Sequence, residues 1–213
     1  MPASVLQRII QTGIVPVIKI DSPEKAIGLG AALQAGGLDV AEITFRTDAA
    51  PESIRRLCSE LPATLVGAGT VIDVEQAAQA IDSGAAFIVS PGYSDDIIEY
   101  CRSRNVLVIP GVNTPSGVQH GITRGVELFK LFPAEVSGGV RMIDALRGPF
   151  PQARFLPTGG INMDNVADYM RRPNVAAVGG SWMVPPDLVS IEDWDSITRL
   201  TQLAIDAAGI QHD

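Results

Sequence analysis

The stretch IVPVIKIDSPEKAIGLGAALQAGG, residues 14–37, decides the fold. Its first seven residues are mostly β-branched and apolar, which reads as a buried strand. Ser22 then stands as an N-cap and Pro23 as a first helical residue, and the small apolar run behind them stops at Gly36-Gly37. An open doubly wound sheet would place a G-x-G-x-x-G fingerprint directly after this first strand. The chain has DSPEKA there instead, so the unit is strand, turn and helix without a dinucleotide loop.

The same unit recurs along the chain. Strand-like runs fall at residues 14–20, 40–46, 64–70, 87–92, 106–112, 128–133, 154–160 and 175–181, eight in all. Between them lie amphipathic segments with their own punctuation: Asp73 caps one that Gly84 stops, and Ser94 caps another with acids in its first turn. Alternation of this kind implies right-handed βαβ units and a parallel sheet. Eight units predict an α/β fold, a (β/α)8 TIM barrel, with an extra N-terminal helix from Ser4 to Gln11 and a trailing helix from Ile191 to Ala208. No linker or composition break divides residues 1–213, so a single domain is expected.

Composition narrows the function classes. The net charge of −8 and pI of 4.7, with no basic run, argue against a nucleic-acid partner. No apolar run approaches a membrane span, and the N-terminus lacks a secretory pattern, so a cytoplasmic protein is expected with no membrane partner. Cys58 and Cys101 have neither metal-site nor disulfide spacing, which suits a reducing compartment.

In a barrel the chemistry belongs at the C-terminal ends of the strands. Period-2 parity puts Glu42, Thr44 and Arg46 on one face of the second strand, and Lys130 with Leu128 and Phe132 on one face of the sixth. The alternate residues (Ala41, Ile43 and Phe45; Phe129 and Leu131; Ile14, Ile18 and Ile20) are apolar and suit packing against helices. The polar sets then face the axis, where a charge is costly unless paired. A structural ion pair of Glu42 with Lys130 or Arg46 would satisfy that constraint. Lysine usage points further: only Lys19, Lys25 and Lys130 occur, and arginine supplies nearly all other cations. A lysine in the middle of an apolar strand offers an amine that can shed its proton, as arginine cannot. Burial favours the neutral amine, which can attack a keto carbon and form a Schiff base, with Glu42 moving the proton. His120 and His212 are expected at the surface. The glycine pairs in PTGGI (157–161) and VGGSW (178–182), with Thr158 and Ser181, suit a phosphate held on backbone N–H groups. Gly67 and Gly69 of GAGT would leave room beside a bulky substrate.

VAEITFRT, VGAGTV, SPG, FKLFPAE, PTGGI and VGGSW, in this order and spacing, resemble the 2-keto-3-deoxy-6-phosphogluconate (KDPG) aldolase and 4-hydroxy-2-oxoglutarate (KHG) aldolase family. The likeness covers about Ile14 to Pro185. It implies a class I aldolase without cofactor or metal, cleaving the phosphorylated keto-deoxy acid to pyruvate and glyceraldehyde 3-phosphate, and a homotrimer. By position, Lys130 matches the Schiff-base lysine and Glu42 the general acid/base. Arg46 and Thr70 match the groups that hold the pyruvate carboxylate, and Pro91 and Phe132 match pocket walls. Thr158, Gly159, Gly160, Gly180 and Ser181 match the phosphate end. Lys19 departs from the pattern, standing where relatives often carry an apolar residue or arginine. An aldolase for an unphosphorylated 2-keto-4-hydroxy acid such as 4-hydroxy-2-oxoglutarate is the nearest alternative. A sugar-phosphate-binding barrel without catalysis is the alternative outside enzymes.

Overall fold

The structure, a computed structural model, describes residues 4–210. Among these residues the strands are β1 (Ile14–Ile18), β2 (Val40–Thr44), β3 (Leu65–Gly69), β4 (Phe87–Val89), β5 (Leu107–Ile109), β6 (Gly111–Val112), β7 (Leu128–Leu131), β8 (Arg154–Pro157) and β9 (Val178–Gly180). The α-helices are α1 (Val5–Thr12), α2 (Ala26–Ala35), α3 (Ala50–Glu60), α4 (Val74–Asp82), α5 (Asp95–Ser103), α6 (Pro115–Thr123), α7 (Gly139–Arg147), α8 (Val166–Met170), α9 (Pro186–Ser190) and α10 (Trp194–Ala208). A curled six-stranded sheet runs β5-β4-β3-β2-β1-β9 and a three-stranded one β6-β7-β8, and every pairing is parallel.

The fifth strand, expected as one run over 106–112, is split at Pro110. Proline has no N–H to donate to a ladder, so the strand breaks there. Its first half pairs with β4 and its second with β7, while the Pro110 carbonyl still accepts the Lys130 N–H at 2.9 Å. Between β8 and β9 lie two isolated parallel bridges, Phe155 with Val175 and Thr158 with Gly179.

Strand parity sorts the apolar side chains into two layers, as the alternation requires. Ile14, Ile18, Ala41, Ile43, Phe129 and Leu131 pack outward in one cluster with helix residues such as Leu29, Leu33, Ile54 and Ile97. Val15, Val40, Leu65, Phe87, Ile109, Leu128 and Leu156 form a second, inner cluster. Ile9 of α1 joins that inner cluster and is fully buried.

The helix ends follow local chemistry. Ser4 caps α1 in a capping box with Gln7, and Gly13 closes it in a left-handed turn at φ 70°, so α1 runs one residue past the expected end. Asp73 and Ser94 accept the Gln76 and Ile97 N–H groups at 2.8 and 3.4 Å, as their positions predict. Ser22 does not cap α2: its hydroxyl donates to Glu24, and Pro23–Lys25 form a 3-10 turn ahead of the helix. The last helix begins at Trp194 rather than Ile191, because Glu192 sits at φ 60° and Asp193 caps the Ser196 N–H at 3.0 Å.

Two measurements follow. Ile9→Ala should cost about 2–5 kcal/mol in urea unfolding by opening the inner core; a loss below about 1 kcal/mol would mean that α1 does not close it. The Ser196 hydroxyl and then its N–H hold the Asp193 carboxyl below the usual carboxylate range. A depressed folded-state value stabilises above the unfolded-state pKa, and that contribution is lost as pH falls through the folded value. Asp193→Asn should therefore flatten the fall of the urea midpoint below about pH 4 relative to wild type. Identical pH profiles would contradict the assignment.

Candidate active site

Glu42 lies in β2, paired with β1 at Val17 and with β3 at Gly67. Lys130 lies in β7, opposite Gly111 of β6. Parity puts both on the inner face, directly above Val40 and Leu128 of the inner cluster. Glu42 is 0% exposed and Lys130 4% exposed, and Lys130 Nζ stands 3.5 Å from Glu42 Oε1. Of the two partners considered for Glu42 the fold selects Lys130; Arg46 lies beyond the end of β2 and is exposed. Thr44, on the same face, is buried and satisfied, its hydroxyl donating to the Ile18 carbonyl at 2.8 Å.

Magnitudes weigh against a purely structural pair. At 3.5 Å and an effective dielectric of about 20, the attraction is roughly 5 kcal/mol. Desolvation costs several kcal/mol for each ion, so the pair does little for net stability. Neither carboxylate oxygen of Glu42 has a hydrogen-bond partner among the described residues. Both therefore keep acceptor capacity for a proton-bearing group, beside an amine. The Phe132 ring centroid lies 5.3 Å from Lys130 Nζ, close enough for a cation–π contact.

Glycine makes the space. A Cβ on Gly69 would fall 2.0 Å from Glu42 Oε1, and one on Gly67 would fall 2.2 Å from the Phe87 ring. The space at these two glycines is thus taken up by the Glu42 carboxylate and the Phe87 ring.

A cleft of about 240 Å³ opens at the strand ends. Lys19 and Arg46 line it after β1 and β2, together with Phe132. Thr158, Gly159 and Gly160 line it after β8, and Gly180 and Ser181 at the end of β9. Gly159 and Gly160 have φ of 100° and 83°, conformations that favour glycine, and the Gly160 and Ile161 N–H groups donate to no acceptor among the described residues. Thr70 and Pro91 follow β3 and β4, half-buried, and are not among the residues that line this cleft. Thr70 has φ 56°, an outlier for a β-branched residue and the kind of strain that gathers at functional sites. Sequence reasoning missed Val17, Ile161, Val184 and Pro186, which also line the cleft. Val17 shares the parity of Lys19 and was legible that way, whereas Val184 and Pro186 lie outside any periodic run.

The remaining groups lie elsewhere. His120 is exposed on α6 with Nε2 3.0 Å from Asp95, and His212 lies outside the described residues. Cys58 and Cys101 are free thiols, and burial pushes Cys101 up to about 11. Among the described residues no group of three or more His, Cys, Asp or Glu is placed to hold a metal ion, and no helix is long and apolar enough to cross a membrane.

A family model described as KDPG and KHG aldolase matches residues 5–200. The 2-dehydro-3-deoxy-phosphogluconate aldolase of Haemophilus influenzae is 43% identical over 202 residues, 95% of each chain. The KHG/KDPG aldolase of Escherichia coli is 41% identical over 203 residues, again 95% of each. A solved structure of KDPG aldolase from Legionella pneumophila, with pyruvate captured as a covalent carbinolamine intermediate, superposes with a TM-score of 0.90 at 39% identity, covering 94% of this chain and 97% of that one. Fold and site thus define an aldolase, an enzyme of the carbon–carbon lyase class. Within that class the chain belongs to the KDPG and KHG aldolase family.

Gly69→Ala tests how the carboxylate is seated. The new methyl overlaps Glu42 Oε1, so aldolase kcat/KM should fall by about tenfold or more while the far-UV spectrum is retained. Unchanged turnover would show that Glu42 tolerates displacement.

Proposed function

We propose that this chain cleaves 2-keto-3-deoxy-6-phosphogluconate to pyruvate and glyceraldehyde 3-phosphate through a Schiff base on Lys130. The observation that carries the reading is the buried Lys130 amine 3.5 Å from a carboxylate with no hydrogen-bond partner. The neutral amine adds to the C2 carbonyl, and loss of water from the carbinolamine leaves an iminium. Glu42 takes the proton of the C4 hydroxyl, and the C3–C4 bond breaks. Its electron pair flows into the iminium as an enamine, and the aldehyde departs. A proton returned to C3 and hydrolysis of the imine then release pyruvate and restore the amine.

Arg46 and Thr70 hold the substrate carboxylate in this reading, with Pro91 and Phe132 as walls. Thr158, Gly159, Gly160, Gly180 and Ser181 hold the phosphate. Support for that end comes from the free N–H groups at Gly160 and Ile161. Lys19 adds a cation to the same cleft. In the same reading, residues 1–213 form one domain whose sheets close into a (β/α)8 barrel with α1 as the extra helix. The bridges between β8 and β9 and the Pro110–Lys130 hydrogen bond support that closure. The family resemblance extends the proposal to a cytoplasmic homotrimer that works on small keto acids and aldehydes without a cofactor.

A second reading has 4-hydroxy-2-oxoglutarate as the main substrate, favoured by the name KHG/KDPG aldolase borne by the E. coli relative. Ser181→Ala should raise KM for the phosphorylated substrate alone if phosphate sits there, and a wild-type kcat/KM higher for 4-hydroxy-2-oxoglutarate would favour the second reading. Lys130→Arg keeps a charge but not the nucleophile, so kcat should fall by about a thousandfold or more. Cleavage by that variant at the wild-type rate would exclude the Schiff base.

A further inference from the structure

Glu135 follows the strand that carries Lys130, and its side chain is exposed at the residue level. Its carboxylate nevertheless accepts a hydrogen bond from Tyr169, a residue of α8 that is 0% exposed. Two glycines in left-handed conformations crowd this pair. A Cβ on Gly160 would fall 2.6 Å from Glu135 Cγ, and one on Gly139 would fall 2.9 Å from Glu135 Oε1 and 3.0 Å from the Tyr169 hydroxyl. The backbone is tied to the same place. The Glu135 N–H donates to the Gly159 carbonyl at 3.1 Å, and Asn165 Nδ2 donates to the Gly160 carbonyl at 3.0 Å. The turn at Gly159 and Gly160 is therefore gripped by backbone from one side and by the Glu135 stem from another. Burial first, and the carboxylate second, push the Tyr169 phenol up, so it remains a donor throughout the working pH range.

We propose that Tyr169 and Glu135 are positioning residues that hold the Gly159–Gly160 turn in register, and so set the preference for substrates with a phosphate at the distal end. The inference rests on the reading that phosphate sits against this turn. Neither side chain lines the substrate cleft; both act through Gly160, whose N–H is free. Losing the phenol lets Glu135 swing to solvent and releases the turn, while Lys130 and Glu42, held in their own strands, are unmoved.

The test compares Tyr169→Phe, Glu135→Ala and Glu135→Gln with wild type on KDPG, on 4-hydroxy-2-oxoglutarate and in binding of inorganic phosphate. Tyr169→Phe and Glu135→Ala should raise KM for KDPG by about tenfold, with kcat and the constants for the unphosphorylated acid within about twofold. Phosphate binding should weaken by the same factor as KM rises. Glu135→Gln keeps an acceptor for the phenol and should restore most of the loss. Equal loss on both substrates, a fall in kcat alone, or a glutamine variant no better than alanine would overturn the positioning role. A wild type that binds phosphate without cleaving KDPG would sink the reaction reading only, and the phosphate comparison would still decide this one. A wild type that binds no phosphate overturns the inference.

Discussion

The contact between Lys130 and Glu42 imposes the constraint around which the rest of the molecule is arranged. Two ionisable side chains, one on the inner face of each parallel sheet, face one another at 3.5 Å with almost no exposure. Such a pair contributes little to stability, and separating the partners would be severe. The surroundings therefore have to fix both strands. Below the pair, an apolar layer closed by Ile9 of α1 keeps the strands in register. Beside it, Gly69 leaves room for the Glu42 carboxylate, which a Cβ there would strike at 2.0 Å. Above this packed layer the strand-end loops line the cleft.

The upper half brings unpaired backbone N–H groups and two cations together around the cleft. Glycine supplies the conformations at residues 159 and 160, and Gly179 allows Thr158 to approach, since a Cβ there would fall 2.3 Å from the threonine hydroxyl oxygen. Lys19 and Arg46 bring positive charge to the cleft of a chain whose net charge is −8. Local charge, rather than the overall balance, then governs which ligands approach.

Much of this was legible in the sequence, because two simple periodicities carry it. Alternation of strand and helix is enough for the parallel α/β fold, and period-2 parity is enough to turn Glu42 and Lys130 each to the inner face of its own strand. Other features escaped for identifiable reasons. The break at Pro110 depends on which neighbour each half of a strand pairs with, which is a tertiary fact. Ser22 looks like a cap, but Glu24 competes for its hydroxyl and a 3-10 turn intervenes. The close approach of Glu42 to Gly69 and of Phe87 to Gly67 was not legible, because nothing in the sequence says which side chain packs on a glycine. The contact of Glu135 with Tyr169 joins residues far apart in the chain, and no spacing rule predicts it.

The central claim is that Lys130 alone among the three lysines acts as the nucleophile. Incubating the protein with pyruvate and sodium borohydride, then mapping modified peptides by mass spectrometry, tests it directly. A reduced pyruvate adduct should appear on the peptide containing Lys130 and on neither Lys19 nor Lys25. An adduct on Lys19, or none at all under conditions that trap a bona fide lysine aldolase, would contradict it.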